Sequence, residues 1–135
     1  MSYKVTEIEG IGPVNAEKLT ASNISTTEDL LKVCCDKSGR VQVSEKTGIP
    51  AATLLKWANM ADLMRIKGVA EEYSELLELS GVDTVKELAT RRSDNLAAKV
   101  KQINDQKKCT RSCPTEGVIA KWIDQAKTLK PVISH

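Results

Sequence analysis

The stretch Ile8-Glu9-Gly10-Ile11-Gly12-Pro13 carries the strongest structural signal in this chain of 135 residues. Glycine has no Cβ and adopts positive φ readily, so two glycines around one apolar residue predict a tight turn at Gly10–Gly12. Ile11 is then expected to plug into the helices beneath the turn. Pro13 favours the first turn of a helix, because its missing N–H costs nothing there. A helix is therefore predicted from Pro13 to about Ser22.

The same pattern returns 58 residues later as Ile66-Lys67-Gly68-Val69. A Lys-Trp pair also recurs, as Lys56-Trp57 and Lys121-Trp122, at an offset of 65. Repeated order of this kind predicts a duplicated structural unit. Further matches at the first offset are Leu19 with Leu77, Ile24 with Val82, Thr26 with Thr84, and Leu30 with Leu88. We expect two units, residues 1–64 and 65–135, with roughly seven extra residues inside the second.

About four helices are expected in each unit, and no segment shows the sustained alternation of a strand. In the first unit, Thr26-Thr27-Glu28-Asp29 resembles a capping box, a third helix is expected near residues 40–47, and Pro50 opens a fourth. In the second unit, the expected helix starts are Val69, the box Thr84-Val85-Lys86-Glu87, Ser93, and Pro114 or Thr115. The predicted fold class is all-α, with two tandem units packed into one compact body.

The last helix of each unit is predicted to bury one apolar face. The expected core residues are Leu54, Leu55, Trp57, Ala58, Ala61 and Met64 in the first unit, and Val118, Ile119, Trp122, Ile123 and Ala126 in the second. Aromatic residues make up 3% of the chain, which disfavours a surface on which single-stranded bases stack. Asp62 and Arg65 flank the junction of the units and are expected to cap or bridge it.

Composition and charge exclude some classes of protein. The chain is 41% apolar and 28% charged, which is ordinary for a globular protein. It has no apolar run long enough to span a bilayer and no secretory signal pattern at its start, so we expect a cytoplasmic protein. The net charge is zero in residues 1–61, −4 in residues 62–90 and +6 in residues 91–135. Only the last third is basic.

No catalytic or cofactor site can be assembled from the residues. There is no internal His, no phosphate loop of the P-loop kind and no dinucleotide fingerprint, so we expect neither an enzyme, nor a cofactor, nor a small-molecule substrate. The four cysteines are Cys34, Cys35, Cys109 and Cys113. We expect no metal site and four reduced thiols in a cytosolic chain. The alternative is a four-Cys site that joins the two pairs, which the Cys109–Cys113 spacing makes conceivable.

The turn at Gly10–Gly12 is also a candidate anion site. Backbone amides of Gly10, Ile11 and Gly12 would lie at the start of a helix, where unpaired donors and about half a positive charge can hold a phosphate oxygen. Lys18 is the nearest basic residue that follows the turn. The acidic residues nearby are Glu7, Glu9 and Glu17.

Ile8-Glu9-Gly10-Ile11-Gly12-Pro13, with Leu19 and the run from Ile24 to Leu31, resembles the helix-hairpin-helix superfamily. Over nearly its whole length the chain also resembles a family of small, mostly bacterial helical proteins of unknown function with tandem helix-hairpin-helix units. The segments that carry this resemblance are Thr47-Gly48-Ile49, Leu55-Lys56-Trp57, 61–69, 81–85 and 122–127. This whole-length resemblance implies the fold and no activity. The resemblance to the helix-hairpin-helix superfamily implies sequence-independent contact with the DNA backbone through an intact hairpin.

The second hairpin, Gly68-Val69-Ala70, departs from the DNA-binding pattern of two glycines around one apolar residue. Its second glycine is replaced by Ala70, and the following helix begins Glu71-Glu72, whose charge repels phosphate. We therefore expect weak duplex DNA binding through the first hairpin, and the alternative is a protein-interaction module in which both hairpins are structural. The basic residues that would support DNA binding if they share a face are Arg91, Arg92, Lys99, Lys101, Lys107, Lys108 and Arg111.

Overall fold

Eight α-helices follow one another in the part of the chain that the structure describes. The computed structural model describes residues 3–8 and 10–134. Within these ranges the chain forms helices and no strand beyond one isolated bridge between Lys4 and Thr26. A 3₁₀ turn, Val5–Glu7, precedes α1 (Gly12–Ala21), α2 (Thr27–Cys34), α3 (Lys37–Thr47), α4 (Ala51–Leu63), α5 (Glu71–Leu79), α6 (Val85–Ala89), α7 (Ser93–Lys107) and α8 (Glu116–Thr128). The all-α prediction is confirmed.

Threonine side chains begin three of the helices, as the local sequence predicts. The Thr26 hydroxyl oxygen accepts the Asp29 N–H at 3.1 Å, and the Asp29 carboxylate accepts the Thr26 N–H at 3.2 Å, which completes the predicted capping box. The Thr84 hydroxyl oxygen accepts the Glu87 N–H at 3.2 Å. Thr115 caps α8 in the same way. Each cap satisfies an amide that would otherwise lack a partner within its helix.

Two predicted helix starts in the second half are wrong in detail. The Glu87 carboxylate does not return to the backbone of Thr84 but binds Arg91 Nε at 3.1 Å, so the second capping box is only half formed. Ser93 is the first residue of α7 rather than its cap, and Arg92 precedes it with no side-chain cap bond. The Glu87 carboxylate is engaged by the Arg91 guanidinium and therefore does not accept the Thr84 N–H, as a complete capping box requires.

Two other starts differ because of local hydrogen bonds. Helix α3 begins at Lys37, before the predicted residue 40, because the Asp36 carboxylate accepts the Gly39 N–H at 2.7 Å. Helix α5 begins at Glu71 and not at Val69, because the Val69 N–H donates back to the Ile66 carbonyl at 3.0 Å.

The buried apolar side chains form two clusters. The first draws on residues from Val5 to Met64, and the second on residues from Leu63 to Ala126. Helices α2 and α3 pack on α4 in the first half, α6 and α7 pack on α8 in the second, and α4 contacts α5. On the fourth helix of each half, Leu55 is half-buried and Val118 is 39% exposed, in contrast to the prediction. The division into units at residues 64 and 65 stays a prediction.

The segment after α8 returns to the first half of the molecule. The Ser134 N–H donates to the Cys35 carbonyl at 2.8 Å, and Arg40 Nη2 donates to the Ser134 carbonyl at 2.8 Å. Ile133 packs against the first cluster. Together with the contact between α4 and α5, this segment holds the chain in one compact body. In the described part of the chain, no helix has the length and apolarity needed to cross a membrane.

Candidate nucleic-acid interface

The first hairpin has the backbone conformation that its glycines predict. Gly10 and Gly12 have φ of 93° and 67°, values that disfavour any residue with a Cβ. Ile11 between them is 1% exposed and plugs into the first cluster, as expected. The Ile11 N–H donates to the Ile8 carbonyl at 3.3 Å. One of the three amides of the predicted phosphate site is thus used inside the turn, which leaves those of Gly10 and Gly12 from the predicted set.

Helix α1 starts at the exposed surface of this hairpin. Gly12, Pro13 and Val14 form its exposed beginning, and its first turn contains no acidic residue. The first amides of any α-helix lack partners within the helix and carry partial positive charge. The start of α1 therefore offers an anion an electrostatically favourable position.

Of the nearby carboxylates, the two that the structure describes do not close this position. The Glu7 carboxylate accepts the Lys4 N–H at 2.9 Å, so it is held at the preceding 3₁₀ turn. Glu17 is exposed on α1, beyond the helix's first turn. Glu9, the third acidic residue of the predicted set, lies outside the described residues.

Lys18 lies farther along α1 than the hairpin itself. It is exposed and stands in the last turn of the helix, about 9 Å along the axis from Gly12 at 1.5 Å per residue. Side chains on a helix lean toward its N-terminus, so the Cα–Cβ bond of Lys18 is tilted toward the hairpin end of α1. The position of Lys18 suits a neighbouring phosphate rather than the one at the helix start.

The second hairpin repeats the turn but not the exposed helix start. Gly68 has φ of 94°, Val69 is fully buried, and the Val69 N–H bonds to Ile66 as Ile11 bonds to Ile8. Ala70 is extended, with φ of −100°, and Glu71 and Glu72 occupy the first turn of α5. Two carboxylates at this helix start oppose an approaching phosphate.

A tryptophan lies behind the first glycine of each hairpin. A Cβ on Gly10 would lie 3.9 Å from Trp57 Nε1, and a Cβ on Gly68 would lie 3.4 Å from Trp122 Nε1. Both tryptophans are 3% exposed, so their predicted role as core anchors is confirmed. The sequence repeats both the glycine and the Trp. This joint repetition is the signal from which the contact between each Trp and its hairpin glycine could have been inferred.

Arg91 and Arg92 precede α7 and are engaged within the protein. Arg91 Nε binds the Glu87 carboxylate at 3.1 Å, and Arg91 Nη2 donates to the Gly81 carbonyl at 2.9 Å. Arg92 Nη2 binds the Asp94 carboxylate at 3.0 Å. The two arginines border an open cleft of about 440 Å³ between the α6–α7 turn and α8.

The other predicted basic residues lie along α7 and beyond its far end. Lys99 and Lys101 are exposed on the helix, whereas Lys107, Lys108 and Arg111 follow at its end. A helix of this length, 15 residues, spans about 22 Å. The basic residues are therefore spread from the start of α7 to beyond its end, on a helix that packs on α5 and α8.

The cysteines do not come together. Cys34 belongs to the first cluster, and Cys109 and Cys113 pack against the second. Among the described residues, no three or more His, Cys, Asp or Glu side chains form a group that could hold a metal ion. Burial raises the pKa of the Cys34 thiol to about 11, although the Arg40 charge opposes the shift.

The molecule is thus an all-helical protein with two similar glycine turns, of which the first leaves its helix start exposed. It belongs to the family described as Domain of unknown function (DUF4332), whose model matches residues 9–129. No curated protein and no solved structure matches the chain. The expected membership in a family of unknown function is confirmed, and the helix-hairpin-helix units of that expectation stay a prediction.

Proposed function

We propose that this is a non-catalytic protein of two tandem helix-hairpin-helix units, residues 1–64 and 65–135, that binds duplex DNA weakly and without sequence preference. The contact is made by the first hairpin. One observation carries the proposal: the positive-φ glycines Gly10 and Gly12 lead into an exposed helix start with no acidic residue in its first turn.

The chemistry of this surface fits a phosphodiester. Backbone amides at a helix start donate to anionic oxygens, and the helix dipole favours their charge. Phosphate contacts position a protein on a duplex but carry no base information. The hairpin therefore supports binding without sequence preference.

Basic side chains add long-range attraction rather than a built site. Lys18 serves a phosphate next to the hairpin. Lys99, Lys107, Lys108 and Arg111 form no ion pair with any residue that the structure describes. Arg91 and Arg92 already have carboxylate partners, so their contribution to binding is smaller. This modest set agrees with weak binding.

A titration of fluorescent duplex DNA at two salt concentrations tests the proposal. We expect micromolar affinity at low salt and a slope of log K against log[salt] of about −0.9 for each phosphate neutralised. Gly12→Asp places a carboxylate at the start of α1, and aspartate tolerates positive φ better than most residues do. This variant should lose binding.

Ala70→Asp is the matched control, since it places the same charge at the second hairpin. Ala70 is the extended residue before α5, a position at which aspartate is favoured. Its DNA affinity should stay near that of the unchanged protein. Equal binding by Gly12→Asp and the unchanged protein would contradict the proposal.

A second candidate function is docking of another protein on the same hairpin. Val14 is 65% exposed, the highest value among the large apolar side chains that the structure describes. An apolar side chain at the tip of a helix suits a protein contact better than a phosphate. Recovery of a stoichiometric partner that Val14→Ser abolishes, together with salt-insensitive or absent DNA binding, would favour this candidate.

A further inference from the structure

The indole N–H groups of Trp57 and Trp122 are donors without acceptors among the residues that the structure describes. Within residues 3–8 and 10–134, no hydrogen bond satisfies either indole nitrogen. Both side chains are 97% buried by area, since 3% of each is exposed. Buried polar groups normally find partners, so a donor left open twice at repeat-related positions is an unusual feature.

Neither indole nitrogen belongs to the fully enclosed side-chain atoms without a partner among the described residues. In the described part of the chain, Asn59 Oδ1 is the only side-chain polar atom that is both fully enclosed and without a partner. The two indole nitrogens are not enclosed to that degree.

Each indole nitrogen lies next to the first glycine of a hairpin. The position of a Cβ on Gly10 is 3.9 Å from Trp57 Nε1, and no other heavy atom lies within 4 Å of it beyond the glycine and its chain neighbours. Glycine at this position thus leaves no Cβ over the indole nitrogen of Trp57. A tryptophan N–H only donates, so its complement is an acceptor such as an anionic oxygen.

We infer that the indole N–H of Trp57 is a further donor of the phosphate site at the first hairpin, acting beside the amides that open α1. This inference rests on the function proposed above. Trp57 would then contact the phosphate through a hydrogen bond from its indole N–H. This contact differs from the stacking of a base on the face of the ring.

The second hairpin provides the internal control. Trp122 Nε1 stands behind Gly68 as Trp57 Nε1 stands behind Gly10. The first turn of α5 carries Glu71 and Glu72, which oppose an anion there. The same indole donor is therefore present at both hairpins, and only the first one receives phosphate.

Nitrogen-labelled protein titrated with short duplex DNA tests the inference by NMR. The two indole N–H resonances are assigned with Trp57→Phe and Trp122→Phe. We expect the Trp57 indole resonance to shift together with the Gly10 and Gly12 amides, with one shared Kd, while the Trp122 indole stays in place. Trp57→Phe should raise the Kd roughly tenfold, the effect of losing one hydrogen bond to a charged acceptor. Trp122→Phe should leave it unchanged.

The outcomes separate this inference from the proposed function. A shift of the hairpin amides without a shift of the Trp57 indole overturns the inference and leaves the proposed function intact. Equal shifts of both indoles also overturn it. If no hairpin amide responds to DNA, the proposed function fails, and this inference fails with it. Should Trp57→Phe unfold the protein, the indole resonance of the unchanged protein decides alone.

Discussion

The carboxylate of Asp62, at the end of α4, accepts the backbone N–H of Val85, the first residue of α6, at 2.8 Å. Its other oxygen accepts Arg65 Nη1 at 2.7 Å. In the first half of the molecule the corresponding amide, that of Thr27 at the start of α2, donates to the Tyr3 carbonyl at 2.7 Å. The Asp62 side chain thus accepts the first amide of α6, as the backbone carbonyl of Tyr3 accepts the first amide of α2.

Loss of the Asp62 carboxylate should destabilise the protein. Asp62→Ala leaves the buried Val85 N–H without an acceptor, and we expect a loss of about 2–4 kcal/mol in the free energy of unfolding, measured with urea. Asp62→Asn retains an oxygen acceptor and should cost less. Asp94→Ala removes a carboxylate from an exposed ion pair with Arg92 and should change stability by about 0.5 kcal/mol or less. Similar losses for Asp62→Ala and Asp94→Ala would contradict this role.

Capping residues could be predicted from the sequence because their interactions are local. Thr26 and Thr84 bond to amides three residues ahead, and Asp62 was expected to cap or bridge the junction. The bond between Arg40 and Ser134 joins residues 94 positions apart. No periodicity or spacing encodes such a contact, since it depends on how the halves pack.

For the candidate site too, the sequence predicts the local backbone but not the contacts between distant residues. The turn at Gly10 and Gly12 follows from two adjacent conformational signals, and the structure has both positive φ values. The place of Trp57 behind Gly10 depends on the packing of α4 beneath the hairpin. The distribution of the basic residues along α7 could not be predicted either, because the net charge of a segment does not say where its side chains lie in the fold.

The hairpin glycines should be more costly to replace than a glycine within a helix. Gly10→Ala and Gly68→Ala each place a Cβ at a φ near +93°, for which we expect losses of about 1–2 kcal/mol in urea unfolding. The two losses should be similar, since each new Cβ meets an indole nitrogen at an ordinary contact distance, 3.9 Å at Gly10 and 3.4 Å at Gly68.

Gly117 supplies the opposite case. It lies in the first turn of α8 with space for a Cβ, whose nearest neighbour is Thr115 Oγ1 at 3.9 Å. Gly117→Ala should therefore stabilise the protein by about 0.5–1 kcal/mol. A destabilising Gly117→Ala, or a neutral Gly68→Ala, would be inconsistent with these backbone assignments.

Arg40 should hold the C-terminal segment to the first half. Its buried guanidinium donates to the Cys34 carbonyl at 3.0 Å and to the Ser134 carbonyl at 2.8 Å. Arg40→Met keeps much of the volume but removes both donors, and we expect a loss of about 2–4 kcal/mol together with faster proteolysis after α8. Lys37→Met removes an exposed cation from the same helix and should cost about 0.5 kcal/mol or less. Unchanged proteolysis of Arg40→Met would show that the segment is held by other contacts.

Cys34 should be the least reactive of the four thiols. It is fully buried, and with its pKa raised to about 11 only roughly one thiol in a thousand is ionised at pH 8. Iodoacetamide at pH 8, followed by peptide mass spectrometry, should modify the half-buried Cys35, Cys109 and Cys113 first and Cys34 only as urea unfolds the chain. Early modification of Cys34 in the absence of urea would contradict its burial.

The same thiol should make stability depend on alkaline pH. Folding raises the pKa of Cys34 from its ordinary value of 9.0, so the folded state binds this proton more tightly than the unfolded state does. The resulting stabilisation is complete below pH 9 and is lost as the pH rises through 11. The Tm of the unchanged protein should therefore fall more steeply between pH 9 and 11 than that of Cys34→Val, which has no proton to lose. Parallel Tm profiles for the two proteins would show that the Cys34 thiol titrates alike in the folded and unfolded states.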